Sequence, residues 1–449
     1  MEQVTGERVA PPTSNRRVAI ATLMGTSLEL YDFYIYGTAA ALVFGPLFFP
    51  EFSPLAGTLA AFATFGVAFI ARPLGAVIFG QLGDRIGRKA LLILSLLVMG
   101  ISTFLVGLLP GYAVIGVAAP IILVVLRFLQ GIGLGGEWGG AVVMASEYAP
   151  PEKRGFYAAF PQLGPMIGLL LSGGVFLLVA GLPDEQFASW GWRVPFWISI
   201  LLVAVGLFVR ARIAETPVFQ RVVETHSEAR VPVVELFRTH PKILLLASVG
   251  CSIQFVYFYL VAAFAPAYGT TQLGLSRTTM LYCVMVSAVF IGLGAMLFAT
   301  ISDRWLGRRT LVVLGTAYLG LLAFPFFWLM DTASPVLVAV ALSLGMFGIG
   351  ICYGPLAAFF SEIFSTRVRY SGTGLAFALG GVLGGAFTPI VAQALFASTG
   401  ATWPVSLYIL VMAIVSLVCN MLLPKGRRDL AFDEVEGRGV GREPAGHRA

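Results

Sequence analysis

Twelve stretches of about 20 or more apolar residues follow one another along this 449-residue chain, separated by short charged segments. In hydrocarbon every backbone amide must find its partner inside its own segment, so the pattern leaves a bundle of membrane-crossing helices as the fold. The predicted spans run approximately over Val18–Leu47, Leu55–Gly80, Ala90–Leu109, Ala113–Glu147, Phe156–Ala180 and Trp190–Val209. The second six cover Ile243–Tyr268, Thr278–Ile301, Thr310–Leu329, Pro335–Glu362, Ser371–Ala397 and Trp403–Leu423. The chain is 58% hydrophobic and 12% charged, against about a quarter charged in soluble domains.

The spans divide into two similar sets. Gly80-Gln81-Leu82-Gly83-Asp84-Arg85-Ile86-Gly87-Arg88-Lys89 is repeated in altered form at Ser302-Asp303-Arg304-Trp305-Leu306-Gly307-Arg308-Arg309, with Asp303 lying 219 residues after Asp84. Glu147 and Arg154 return 215 residues later as Glu362 and Arg369. The spacing predicts an all-α integral membrane protein of two pseudo-symmetric six-helix bundles, residues 18–209 and 243–423. A tail at 1–17, a linker at 210–242 and a tail at 424–449 complete the expected organisation, and chains built this way are typically transporters that rock about a central site.

Orientation follows from the 29 Lys and Arg residues: with a cytoplasmic amino terminus, 25 of them fall in the tails and loops of the cytoplasmic side. Both termini are thus expected in the cytoplasm, in a multi-pass cell inner-membrane protein. The net charge of +6 is read as this topological signal, and nucleic acid is not an expected partner. Met1–Asn15 is polar, holds no apolar core and is expected to be a tail, not a removed signal. Cys251, Cys283, Cys352 and Cys419 show no paired spacing, and the three His lie in expected cytoplasmic segments. No metal or cofactor site and no convergent nucleophile are indicated, so an enzyme is not expected. The partners expected are a small organic metabolite, protons and the lipid bilayer, with the protein a monomer.

Gly80 to Lys89 resembles the helix 2–helix 3 motif of the major facilitator superfamily, and the copy at Asp303 is its second-half counterpart. Glu29-Leu30-Tyr31-Asp32-Phe33, Ala71-Arg72-Pro73-Leu74-Gly75, Arg127-Phe128-Leu129-Gln130-Gly131 with Gly135-Gly136-Glu137-Trp138-Gly139-Gly140, and Glu215-Thr216-Pro217-Val218-Phe219 are similar to the metabolite:proton symporter family. That family includes carriers of shikimate, 2-oxoglutarate, citrate and proline or betaine. The resemblance implies a twelve-helix proton-coupled symporter importing a small hydrophilic metabolite, such as shikimate or a di- or tricarboxylate, by alternating access. Two other readings stay open: a drug:proton antiporter, prompted by Gly164-Pro165-Met166-Ile167-Gly168, and a metabolite sensor that transports nothing.

An ionisable side chain at mid-bilayer costs about 2.5–3.5 kcal/mol or more, so each one is a candidate for function. Glu29 and Asp32 share a face of the first helix, Arg72 is in the second, and Arg127 and Glu137 are in the fourth. At about 1.5 Å per residue, Arg72 lies roughly 18 Å from Asp84 and Asp32 roughly 22 Å from Arg17, both near the midplane. In sugar:proton symporters of the superfamily an Asp preceded by a Tyr in helix 1 pairs with an Arg 20 residues before the Glu closing helix 4. Asp32, Arg127 and Glu147 match that arrangement by position. A carboxylate in a dry site holds its proton tightly and a neighbouring guanidinium loosens it, so a change of access can load and release a proton. Asp32, Arg127 and Glu29 are therefore the proton-coupling candidates, the alternative being a fixed ion pair that ties two helices.

For substrate, Arg72 and Glu137 are joined by Tyr36, Trp138, Gln162, Gln254, Tyr257 and Tyr353, the alternative for the glutamines being helix bridging and for the aromatics packing. Asp84, Arg85, Arg88, Glu147 and Arg154, with Asp303, Arg304, Glu362 and Arg369, form the expected cytoplasmic gate.

Overall fold

The computed structural model describes residues 15–86, 88–135, 154–211, 232–364 and 368–425. Among them the chain is built from helices. α1 (Asn15–Ala39) continues through a π-helical turn, Ala40–Phe44, into Gly45–Phe48. α2 (Pro54–Ile86), α3 (Arg88–Leu108) and α4 (Ala118–Leu134) follow. α5 is assembled from Arg154–Ala158, a 3₁₀ turn at Pro161–Leu163 and Gly164–Ala180, and α6 is Val194–Ala211.

The second half repeats the order. α7 runs over Pro241–Tyr259, a π-helical turn at Leu260–Phe264 and Ala265–Thr271. α8 is Arg277–Arg304, α9 Arg308–Met330 and α10 Pro335–Ile363. α11 combines Arg369–Gly381, a π-helical turn at Val382–Ala386 and Thr388–Thr399, and α12 is Trp403–Leu422. Nine helices among the described residues are long and apolar enough to cross a membrane, and Ile93–Leu108 and Ala118–Leu134 are shorter apolar helices. Their outward faces carry Leu178, Leu321 and Trp328 fully to the surroundings, as helices solvated by lipid do.

Two features of the helices have local causes. The fourth span, expected from Ala113, begins at Ala118, because a one-turn helix at Tyr112–Ile115 is ended by Gly116 at φ 58°, a left-handed conformation that glycine adopts without strain. The π-helical turns of α1 and α7 are each followed two residues on by a proline, Pro46 and Pro266, which lacks the N–H needed to continue the ladder. They recur at the repeat spacing, so the duplication extends to a backbone irregularity.

Within the halves α1 packs on α5, α2 on α4, and α3 on α4 and α6; α7 packs on α11 and α12, and α10 on α8 and α9. Small residues permit the closest approaches: a Cβ at Gly131 would run into the Ala68 carbonyl, one at Gly135 into that of Arg72, and one at Gly75 into that of Ile132. The Gly131–Gly135 run thus packs α4 on α2. The halves meet along α2–α11 and α5–α8. At the first seam a Cβ on Gly66 would lie 3.0 Å from the Ala386 carbonyl oxygen.

Candidate functional site

Between the halves lies a cavity. From the first half it is lined by Glu29, Tyr34 and Arg72, and from the second by Gln254, Tyr259, Tyr353 and Phe377, with Phe255, Phe258, Ile291 and Ile349 adding apolar wall. Glu29 and Tyr34 come from α1, Arg72 from α2 just before Pro73, Gln254 and Tyr259 from α7, Tyr353 from α10 and Phe377 from α11. Arg72 is buried, and the Tyr34, Tyr259 and Tyr353 phenols surround its guanidinium, which stands 5.3 Å from the Phe377 ring centroid. Among the described residues it makes no ion pair. Gln254 is 4% exposed, and both Oε1 and Nε2 are without a hydrogen-bond partner among the described residues. A cation and an amide, one from each half, thus belong to the lining of one cavity.

Asp32 and Arg127 are buried beside this cavity, outside its lining. The direct ion pair expected between them is not made. Arg127 donates from Nη1 to Gln130 Oε1 (2.8 Å), and Gln130 donates from Nε2 to Thr103 Oγ1 (2.7 Å). The Thr103 hydroxyl in turn lies beside the Asp32 carboxyl. The Arg127 guanidinium is held in an aromatic cage, 4.2 Å from the Phe33 centroid, 4.1 Å from Tyr36 and 4.9 Å from Phe65. Among the described residues its Nε and Nη2 and the Oδ1 of Asp32 have no hydrogen-bond partner. The cage is continuous with the cavity wall, since Phe33 packs on Phe69 (5.1 Å) and Phe69 on Tyr259 (4.9 Å).

At the end of the bundle where α8 turns into α9, Asp303 reaches across the halves. Its Oδ1 accepts from the Gly155 amide and its Oδ2 from the Phe156 amide, each at 3.0 Å, so it caps the first turn of α5. Arg308, 7% exposed, pairs with Asp303 Oδ1 at 3.1 Å and with Glu362 Oε1. Arg304, placed in this cluster from sequence, is exposed and makes no ion pair among the described residues; Arg308, four residues on and across the break between α8 and α9, pairs with Asp303 of α8 instead. Arg369 is buried at the start of α11. At the opposite end Arg277 meets Asp184 of the other half at 2.6 Å.

The structure separates the remaining candidates. Glu29, Arg72, Gln254 and Tyr353 line the cavity. Gln162 instead donates to the Tyr353 carbonyl (3.1 Å), tying α5 to α10 across the halves. Tyr36 donates to Thr64 (2.8 Å) under the Arg127 cage, and Tyr257 donates to the Leu319 carbonyl (2.7 Å), so both are turned into helix packing. The glycines of Gly164-Pro165-Met166-Ile167-Gly168 fit α5 to α1: a Cβ on Gly164 would sit 2.6 Å from Thr26 Cγ2. Glu137, Trp138 and Glu147 lie outside the described residues, as do the side chains of Asp84, Arg85, Arg88 and Arg154. Sequence reasoning missed Tyr34, Tyr259 and Phe377; Tyr34, two residues from Asp32, was the one a local signal could have found.

Paired helices repeated in two halves, a cavity at their seam holding a buried cation and a charge cluster across one end are the features of a membrane transporter. Residues 22–389 match the Major Facilitator Superfamily, and the chain belongs to that family; it is a multi-pass membrane protein and not an enzyme. It is 41% identical over 426 residues to the inner membrane metabolite transport protein YhjE of Escherichia coli, spanning 94% of this chain and 97% of that one. The Escherichia coli shikimate transporter is 41% identical over 420 residues (92% and 95%), and a Salmonella typhimurium proline/betaine transporter 33% over 420 (90% and 83%). Among solved structures the D-xylose-proton symporter superposes with a TM-score of 0.72 at 18% identity, covering 92% of this chain and 99% of that one. The family and fold read from the sequence motifs are therefore those of the protein.

Proposed function

We propose that this protein is a proton-coupled symporter that imports a small carboxylated metabolite across the cell inner membrane by alternating access. The observation that carries the reading is Arg72: a buried guanidinium facing the cavity between the halves without an ion pair among the described residues is suited to a ligand carboxylate. The names of the relatives support a metabolite as cargo, two of them a carboxylated one. The lysine and arginine distribution supports an orientation with both termini and the Asp303 cluster in the cytoplasm.

Asp32 is the proton site in this reading. Burial disfavours the charged form of a carboxylate and a guanidinium favours it. Here Thr103 and Gln130 stand between Asp32 and Arg127, so the guanidinium does not reach the carboxyl. A shift of α1 against α4 that brought Arg127 out of its cage onto Asp32 would expel the proton. Glu29 contributes a second carboxyl at the cavity itself. The cluster of Asp303, Arg308 and Glu362 across the α5–α8 seam serves as the cytoplasmic latch. The test is the direction of proton movement: adding an organic acid to proteoliposomes holding the protein should alkalinise the medium as substrate enters. Acidification would mean antiport, and uptake without any proton movement would leave a uniporter.

A further inference from the structure

Resting on the reading of Asp32 as the proton site, we infer that Gln130 and Thr103 are its positioning residues, which carry the influence of Arg127 to Asp32 through a hydrogen-bond chain of fixed direction. Gln130 follows Arg127 by three residues and so shares its face of α4, while Thr103 belongs to α3, which packs on α4 and also touches α1. Both are fully buried. A guanidinium only donates, so the Gln130 amide must turn Oε1 to Arg127 Nη1 (2.8 Å), which leaves Nε2 to donate to Thr103 Oγ1 (2.7 Å). Thr103, having received that hydrogen, has one of its own to place. It goes to the Met99 carbonyl one turn back on α3 (2.9 Å). The Asp32 carboxyl beside Thr103 is the other acceptor in reach, with its Oδ1 unpartnered among the described residues.

A hydroxyl turning about its Cβ–Oγ bond shifts its hydrogen from Met99 to an ionised Asp32, and no heavy atom has to move. Hydrogen bonds in series polarise one another, so a chain that starts at a guanidinium strengthens the donor at its far end. Arg127 thus acts on Asp32 from inside its aromatic cage, before any movement brings the two closer. The other titratable or charged groups around this part of α1 are Glu29, Tyr31, Tyr34 and Tyr36 on α1 itself, Arg72 on α2 and Tyr259 on α7. Tyr31 spends its hydroxyl on the Pro195 carbonyl (2.8 Å), and α3, α5 and α6 carry no charged side chain in mid-span among the described residues. Were the chain only a tie between α3 and α4, the charge of Arg127 would not be felt through it at Asp32.

The experiment titrates Asp32 itself, with the proton as the probe, by infrared spectroscopy of the full-length protein in lipid between about pH 5 and about pH 10. The carbonyl stretch of the protonated acid is the band that Asp32→Asn removes. Thr103→Val, which keeps the shape and loses the hydroxyl, should move the midpoint of that band up by about one unit or more, since a donor to the ionised form is gone, and Thr103→Ser should restore it. Ser102→Ala, which removes a neighbouring hydroxyl bonded to the Val98 carbonyl of its own helix, should leave the midpoint unchanged. Arg127→Met should also raise the midpoint, and most of that rise should vanish in a Gln130→Leu background. An equal rise with and without Gln130 means that the charge acts through space, and it overturns the inference. A Thr103→Val midpoint equal to that of the unaltered protein overturns it as well, and that result stands even where Gln130→Leu fails to fold. If Asp32→Asn removes no titrating band, the reading of Asp32 as the proton site falls and the inference falls with it.

Discussion

Replacing Asp303 with Ala deletes two hydrogen bonds across the halves, from the Gly155 and Phe156 amides at 3.0 Å each, and leaves Arg308 with Glu362. A hydrogen bond to a charged group contributes about 1.5–3 kcal/mol, so even the low end gives about 3 kcal/mol for the pair. At about 1.4 kcal/mol per factor of ten, the equilibrium between closed and open forms of this end shifts about 10²-fold, and a population closed 99 to 1 becomes about even. The same contact can be broken from the other half: a Cβ at Gly155 would lie 2.6 Å from Asp303 Oδ1, so Gly155→Ala displaces the carboxylate while leaving every charge in place. The assay is the rate at which a membrane-impermeant maleimide, applied from the linker side, labels Thr26→Cys in the cavity wall, with the four native cysteines replaced by serine. Both Asp303→Ala and Gly155→Ala should raise the rate; Arg304→Ala, which removes an exposed charge, should not. Unchanged labelling in the first two variants, or an equal rise in the third, would refute the argument that Asp303 holds the halves together.

Asp32→Asn should abolish accumulation driven by a pH gradient while substrate counterflow persists, since exchange needs no net proton release; normal accumulation would remove Asp32 from the coupling. Affinity for an organic acid should rise as pH falls from 7.5 to 5.5, by up to about tenfold per unit if one proton accompanies binding, and a flat profile would contradict proton uptake on binding. Arg72→Lys should weaken acid binding about tenfold or more, because an ammonium cannot reproduce the guanidinium fork, and an unaffected Kd would move the carboxylate elsewhere. Gly131→Val should cost about 1–3 kcal/mol or more through overpacking against Ala68 and so lower the melting temperature in detergent, while Gly174→Ala, whose Cβ meets nothing within 4 Å, should leave it unchanged.

The number of spans, their division into two sets and the family were legible in the sequence because each rests on a local or translational signal: twenty apolar residues are a helix in lipid wherever they occur, and a repeated motif declares its own period. The buried charges were legible for the same reason, since Asp32, Arg72 and Arg127 each stand in a run with few or no other charges. Which of them face one another was not. α1 and α7, the helices that supply Asp32, Tyr34, Gln254 and Tyr259, spread their polar and apolar residues round the axis, so no amphipathic stripe marks the side turned to the cavity. A protein core and a lipid tail are equally apolar neighbours, and the periodicity that orients a helix in water is absent here. Only the packing of α2 on α11 and α5 on α8 decides that Tyr34 and Gln254 line one cavity while Tyr36 and Tyr257, two and three residues further along, turn away into hydrogen bonds with Thr64 and Leu319. The same holds at the end of the bundle, where Arg304 and Arg308 are alike as residues. Only the tertiary structure, with the break between α8 and α9 falling between them, makes Arg308 the partner of Asp303 and Glu362.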